Sequence, residues 1–437
     1  MKIALTLILF LTALTLSAQD RYYLIGDQYG SSIASAENLL TVHLALYSFQ
    51  DRYIKNQYWE EDTWQKKSLG VGYRLGKTIL LDVQMDWLVL LAQHEVFGHG
   101  YRARSTGTKE NRYRFSLLFP YGSSSGAIFY GRSNPNRFSG FDEGLVATLG
   151  GNEANAVLAK TLRDKWLLRG AMHYRELVLY SLTLNNHSLY AWSTKLFDRN
   201  EGGNDMLNYI RLVNARFDYR TEAEYQLTFD EMSNHSLLNF VNTYQLFALY
   251  AYFKGYLLNA NESFDLPMFR LKNTKYLPTL RVGMTPFGSE FILENHFLKD
   301  QNLLEISWRQ GDGQLANFYG GGVKWRKVFP KLLTTQIGVD FWNQPSMLLG
   351  GERRYETKAG FGGRVLTSVD YQFGEKVPIG LHTQVGFKTA GFIEGERLDQ
   401  GLIFRLGLAF FINKEGSSVN FVEEENYLIF FLHKFHR

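Results

Sequence analysis

Apolar residues recur at intervals of three and four along the first part of the chain and at intervals of two along the last part, with the change near Leu277. Before it, Ile79, Leu80, Val83, Trp87, Leu90 and Leu91, then Leu145, Leu149, Ala156 and Val157, then Leu237, Val241, Tyr244, Ala248 and Tyr252 follow helical spacing. Inside that region residues 112–132 read as a β-hairpin around a Gly-Ser loop, and 67–75 offers a further strand. After Leu277, positions such as Leu333, Thr335, Ile337, Val339 and Phe341 face one way while Thr334, Gln336, Gly338 and Asp340 face the other. Segments of this kind fall near 279–287, 289–298, 303–310, 316–327, 331–342, 357–373, 379–389, 401–412 and 426–435. Most match the roughly 9 to 11 residues that a tilted strand needs to cross a bilayer, and exceed the ~5–6 residues of an average soluble strand. The pattern predicts an α+β chain: a mainly helical region at 20–276, then an antiparallel β-barrel at 277–437 of about 10–12 strands. If a strand before Gly76 joins that barrel, the helical region becomes an insertion in it.

The first residues have the layout of a secretory leader: Lys2 at the positive end, an apolar run over 3–16, then the small residues Ser17 and Ala18 before Gln19. A signal peptide at 1–19 predicts an exported chain that starts near Asp20. The last segment, 426–435, ends on Phe435 and resembles the aromatic-ended final strand of Gram-negative outer-membrane β-barrel proteins. That resemblance implies the cell outer membrane as location and its lipid as a partner. A formal net charge of +4 is too small for a nucleic-acid footprint. With no cysteine in the chain, disulfides, thiolate nucleophiles and Cys-ligated zinc are excluded, so any metal is held by His and carboxylates.

The densest chemistry is Gln93-His94-Glu95-Val96-Phe97-Gly98-His99-Gly100. In the common H-E-x-x-H pattern, a step of four residues puts both imidazoles on one helix face. Here the step is five, which in a regular α-helix turns the second ring away. A π-bulge absorbs the extra residue, and Gly98 is where the backbone deforms at least cost.

HEVFGH resembles the zinc peptidases with an H-E-x-x-G-H motif, best represented by the dipeptidyl peptidase III family of gluzincins. The resemblance covers the motif and a second short segment, not the rest of the chain. It implies that His94 and His99 bind Zn2+, that Glu95 is the general base, and that a Glu on a later helix is the third ligand. Glu153, in Gly150-Gly-Asn-Glu-Ala-Asn155, occupies the matching place. The family often has an acidic residue four places further on to orient a ligand His; this chain has Val157 there.

The residues themselves also single out Glu153, which falls in the apolar stripe of its helix, where a carboxylate needs a cation. A metal meets that need, and so does an arginine such as Arg102 or Arg104; Glu143 is a second acidic possibility on another face. Asn152 and Asn155 flank the segment as supporting residues, and His173 and Tyr174 are further options for a transition-state donor. The expected function is a zinc metallopeptidase that hydrolyses peptide bonds and is anchored in the outer membrane, with peptides or proteins as substrates. Other outer-membrane proteins are possible partners. Two alternatives are a structural or assembly factor with a non-catalytic metal site and a porin-like transporter.

Overall fold

The computed structural model describes residues 19–413, apart from 108–109, 119–120, 122–125, 133–140, 197–203, 218–225, 312–316, 330–331, 350–354 and 375–376. Residues 1–18 of the signal peptide expected at 1–19, and the strand expected at 426–435, lie outside the described residues. The chain is α+β, a helical region joined to a ten-stranded antiparallel sheet in the order β1-β16-β15-β14-β11-β10-β9-β8-β7-β6.

Nine of those strands come from the part with period-two spacing or its border: β6 (Phe269–Leu271), β7 (Thr274–Thr285), β8 (Gly288–Lys299), β9 (Asn302–Gly311), β10 (Tyr319–Val328), β11 (Leu333–Gln344), β14 (Gly360–Gln372), β15 (Ile379–Lys388) and β16 (Gly401–Asn413). The tenth, β1 (Gln19–Gly26), begins at the last residue of the expected signal peptide and pairs with β16 in the register Ile25↔Gly407. The helical region is therefore an insertion between β1 and β6, not a domain that precedes the sheet. A closed barrel was expected; among the described residues the sheet is open, with β1 at one edge and β6 with the part of β7 beyond it at the other. Two short strands, β12 (Leu348–Leu349) and β13 (Tyr355–Glu356), pair within one connection.

Alternation sorts this sheet inside out. Leu293, Ile306, Val323, Val339, Val365, Leu381, Phe404 and Leu408 are exposed on its outer face. Glu294, Glu305, Arg309, Asp370, His382 and Arg405 are buried on its inner face. The long helix α5 (Phe141–Arg169) packs against this inner face through ion pairs, with Lys160 to Glu305 at 2.9 Å, Lys324 to Asp164 at 2.5 Å, and Arg163 to Glu294. A cavity of about 240 Å³ remains between helix and sheet.

The preceding helices are α1 (Ser32–Tyr53), capped by Ser31, α2 (Trp64–Lys77), α3 (Val83–Leu91) and the short α4 (Gly100–Ser105), with π-helical turns at Thr78–Asp82 and Ala92–His99. Segment 67–75 is thus helix, not strand. Its alternating Leu69 and Leu75 are exposed, while Arg74 is buried and donates to Glu61 and to the Leu257 carbonyl. The hairpin read at 112–132 is β2 (Glu110–Ser116) paired with β3 (Gly126–Arg132). After α5 come β4 (Ala171–His173), α6 (Tyr174–Leu184), α7 (Asn186–Leu196), α8 (Asp205–Arg216), α9 (Phe229–Ser236) and α10 (Thr243–Tyr250). The last of these continues as a π-helix over Ala251–Leu257, and β5 (Ser263–Asp265) then pairs with β4. Among the described residues no helix is long and apolar enough to cross a membrane.

Side chains of the helical region bond to backbone groups along β1 and along the part of β7 beyond β6. On β1 the Tyr23 amide donates to Thr41 Oγ1 (3.0 Å), whose hydroxyl donates to the Tyr23 carbonyl (2.6 Å). Asn38 accepts from the Ile25 amide (2.6 Å) and donates to its carbonyl (2.8 Å). On β7 Asn239 accepts from the Val282 amide (2.8 Å) and donates to its carbonyl (3.2 Å), and Asn242 donates to the Leu280 carbonyl (2.9 Å). An orphaned buried backbone group costs about 1–3 kcal/mol. Asn239→Leu, which removes both partners of Val282 at similar volume, is therefore expected to lower the stability measured by denaturant unfolding by about 2–6 kcal/mol.

Candidate metal centre

The motif helix is π-helical over Ala92–His99, with the Gly100 amide bonded to the Glu95 carbonyl five residues back. One extra residue per turn brings side chains five apart over one another, as side chains four apart are in an α-helix. His94 and His99 are buried, and their Nε2 atoms lie 3.2 Å apart. Asp205, the first residue of α8, completes the group: its Oδ2 lies 3.1 Å from His99 Nε2 and 3.5 Å from His94 Nε2. Bonds of ~2.0–2.1 Å in a tetrahedral site hold ligand atoms about 3.4 Å apart, so this triangle has the size to hold one divalent cation.

Close packing of two helices makes the convergence possible. A Cβ on Gly98 would stand 2.5 Å from the Gly150 carbonyl oxygen, and a Cβ on Gly151 would stand 2.3 Å from His94 Nε2. The motif helix and α5 therefore cross at backbone contact, where any side chain would occupy the space of the imidazole or of the facing chain. Through this crossing α5 also supplies the partners of the outer ring nitrogens. His99 Nδ1 donates to the Ala147 carbonyl at 2.7 Å, which leaves Nε2 as the atom facing Asp205. Asn155 lies 3.1 Å from His94 Nδ1 through its amide nitrogen, while its Oδ1 is buried with no partner. Turning that amide over exchanges N and O. Oδ1 then accepts from His94 Nδ1–H, freeing Nε2 for a metal. Asn152 sits one step out and accepts from Asn186 at 2.7 Å.

Burial alone would lower the His99 pKa, but the adjoining Asp205 carboxylate, with Glu95 and the Ala147 carbonyl behind it, raises it to about 9. Although burial opposes it, His99 in turn holds Asp205 well below the usual carboxylate range. Without a metal the positive charge between these groups is a proton.

Glu153 is not in this triangle. It is buried, but it points to the connection 389–400: Arg102 Nε donates to Oε2 at 2.8 Å, Arg102 Nη2 pairs with Oε1, and the Gly395 amide donates to Oε1 at 2.6 Å. The arginine has met the need that a buried carboxylate creates, and Asp205 stands where Glu153 was expected. Glu143 is buried near the start of α5 and is outside the triangle. His173 caps α6, accepting from Arg175 Nε at 3.1 Å, and Tyr174 donates to Asp51; neither contact involves the site. The hairpin does approach it. The Tyr113 hydroxyl accepts from Arg104 at 3.0 Å and stands 2.3 Å from where a Gly100 Cβ would be. Asp205 is 106 residues from His99 and follows the helix cap Asn204, so by sequence it reads as an ordinary acid in a first helical turn.

Asp205→Asn and Gly151→Ala are each expected to weaken zinc binding, measured by competition with a chromophoric chelator, by more than about 100-fold. Glu153→Gln is expected to do the reverse, leaving the ligand set intact while costing about 3–5 kcal/mol of unfolding free energy, because Arg102 stays buried without its counter-charge. The metal-free protein carries the His99 proton from below about 6.5, the free imidazole value, up to about 9. Its contribution to stability is complete below about 6.5 and is lost as the pH rises through about 9. Over the same interval a metal must displace that proton, so affinity should rise by about tenfold per pH unit and level off above about 9. No family model, curated protein or solved structure matches this chain, so the geometry of this site is what bears on its function.

Proposed function

We propose that the protein is a zinc-dependent hydrolase of peptide bonds, with His94, His99 and Asp205 as ligands and Glu95 as general base, held in the outer membrane by its sheet. The observation that carries this reading is the convergence of three donor atoms within 3.5 Å of one another, with a carboxylate on the residue that follows one of the ligands. Zinc with three protein ligands keeps a fourth position for water and lowers its pKa to about 7. Glu95, buried beside His94, accepts the proton of the attacking water and passes it to the leaving amine. A purely structural ion has no use for a base next to its ligand, which favours the enzyme over an assembly factor. The packing of α5 and its ion pairs against the inner face favours it over an open pore.

The apolar outer face of the sheet and strands of 10 to 13 residues suit a bilayer. One end of the sheet turns through 272–273, 300–301, 329–332 and 373–378, while the other carries the tight turn 286–287 and the longer connections 312–318, 345–359 and 389–400. The metal centre belongs to this second end: Arg102 and Glu153 bond to residues 395–396, and Tyr209 of α8 donates to the Thr285 carbonyl. Outer-membrane barrels place short turns in the periplasm and long loops outside, so the site opens to the cell exterior.

Glu95→Gln is expected to keep zinc and lose about 10²- to 10⁴-fold in kcat/KM on a mixed peptide substrate. Equal cleavage by both forms would replace the enzyme by the non-catalytic reading. For the orientation, a cysteine at exposed Gln400 should react with an impermeant maleimide on intact cells and one at exposed Lys299 should not; the opposite result would turn the site to the periplasm.

A further inference from the structure

The open sheet leaves a gap between β1 and β7, and a continuous run of helices fills it. From β1, bonded to α1 by Asn38 and Thr41, the run continues to α3 by His43 Nε2 to Asp86 Oδ1 (2.8 Å). On the far side, α6 meets α10 by Gln245 to Ser181 (3.2 Å), and Asn242, capping α10, bonds to β7. Like the sheet, these helices carry an apolar outer side. Their polar groups are buried and paired with one another: Gln50 donates to Asp82 (2.6 Å), Lys77 pairs with Asp82 (3.0 Å), and Tyr47 donates to Asp86 (3.2 Å). Beyond the apolar core that Leu40, Val89 and Tyr244 help to bury, further large apolar groups face outward: Leu46 and Phe49 on α1, Ile79 and Leu80 on the π-turn, Leu246 and Phe253 along α10 and its π-helical continuation.

We propose that these helices complete the wall of a mixed barrel and that their outer side contacts lipid hydrocarbon, continuous with the outer face of the sheet. The proposal rests on the membrane reading of the sheet. A helix in water buries its apolar side and wets its charges; here the charges pair inside among buried apolar groups and the outer side is apolar as well, the arrangement required of polar residues at membrane depth. In hydrocarbon every backbone donor and acceptor must be satisfied within the protein, so an exposed strand edge is forbidden there. Tyr23, Ile25 and Val282 meet that demand through Thr41, Asn38 and Asn239, and the Leu280 carbonyl meets it through Asn242, which also removes these strand groups from pairing with a second sheet. Helix α1, with 22 residues, is about 33 Å long, close to the ~30 Å hydrocarbon thickness. Averaged along its sequence such a helix is not apolar, because half its surface serves the interior.

The absence of cysteine allows a direct test. Single nitroxide labels on Leu46→Cys, Phe49→Cys, Leu246→Cys and Phe253→Cys, with Val339→Cys on the sheet and Lys67→Cys on exposed α2 as references, are read in phospholipid vesicles. Collision with oxygen, which concentrates in lipid, is compared with collision with a water-soluble nickel chelate. The four helix sites should give the oxygen-to-nickel ratio of Val339 and exceed that of Lys67. If Val339 lies in lipid and the helix sites lie in water, the proposal fails and the membrane reading stands. If the helix sites are shielded from both reagents, protein covers them, either a second copy or a partner, and the proposal also fails. If Val339 itself lies in water, the membrane reading falls and takes the proposal with it.

Discussion

The backbone contact between the motif helix and α5 is the constraint from which the site follows. At Gly98, Gly150 and Gly151 the two helices have no room for a side chain, and from that crossing α5 presents the Ala147 carbonyl and Asn155 to the outer nitrogens of the two imidazoles. The two imidazoles and their orienting partners thus come from two helices whose separation is fixed by glycine, while Asp205 reaches them from α8. Packed interiors tolerate little change of volume, so the geometry is set by this contact and not by the flexibility of the imidazoles.

The same helix joins the site to the wall. Ten residues beyond Gly150, Lys160 begins the set of charges that pair with the inner face of the sheet, and Arg163 and Asp164 extend it. Glu153 lies between the two halves and bonds through Arg102 and Gly395 to a connection of the sheet. A buried pair of this kind adds little net stability, since desolvation offsets attraction, but removing one partner is costly. Its effect is to fix register: α5 has one position in which all these charges meet, and in that position Gly151 faces His94.

Period-two strands were legible because each puts one class of residue on each face, whether the apolar face meets a core or something outside. That ambiguity is also why helical spacing misled. Ile79 and Leu80 continue the apolar stripe of Leu90 and Leu91 in sequence, yet the first pair is exposed and the second buried. Strand β1 was not legible, being only eight residues long, and its partner β16 lies far along the chain at Gly401–Asn413. At the site, five-residue spacing between His94 and His99 carried enough geometry to require an extra residue in the turn. The third ligand carried none. A buried acid in an apolar stripe demands a cation without naming it, and Arg102, three residues past His99 on the next turn, is as good an answer for Glu153 as a metal. Asp205 reaches the histidines through the packing of α8 against α5, which no local pattern records.

Two imidazoles and one carboxylate suit more than one metal. They are the ligands of hydrolytic zinc and also of the ferrous sites that activate oxygen. Donor distances do not separate the two, because a tetrahedral set holds its atoms about 3.4 Å apart and an octahedral facial set about 3.0 Å, and the observed 3.1, 3.2 and 3.5 Å span both. Glu95 is the discriminating residue. A carboxylate beside the open position is a proton acceptor matched to an attacking water, whereas an oxygen-activating iron needs its free positions for oxygen and co-substrate. The charge it adds also raises the imidazole that a metal must deprotonate, an electrostatic cost at low pH that is useful only if the carboxylate handles a proton when the cation is in place. The donor set permits several ions, and it is the role proposed for Glu95 as base that favours zinc.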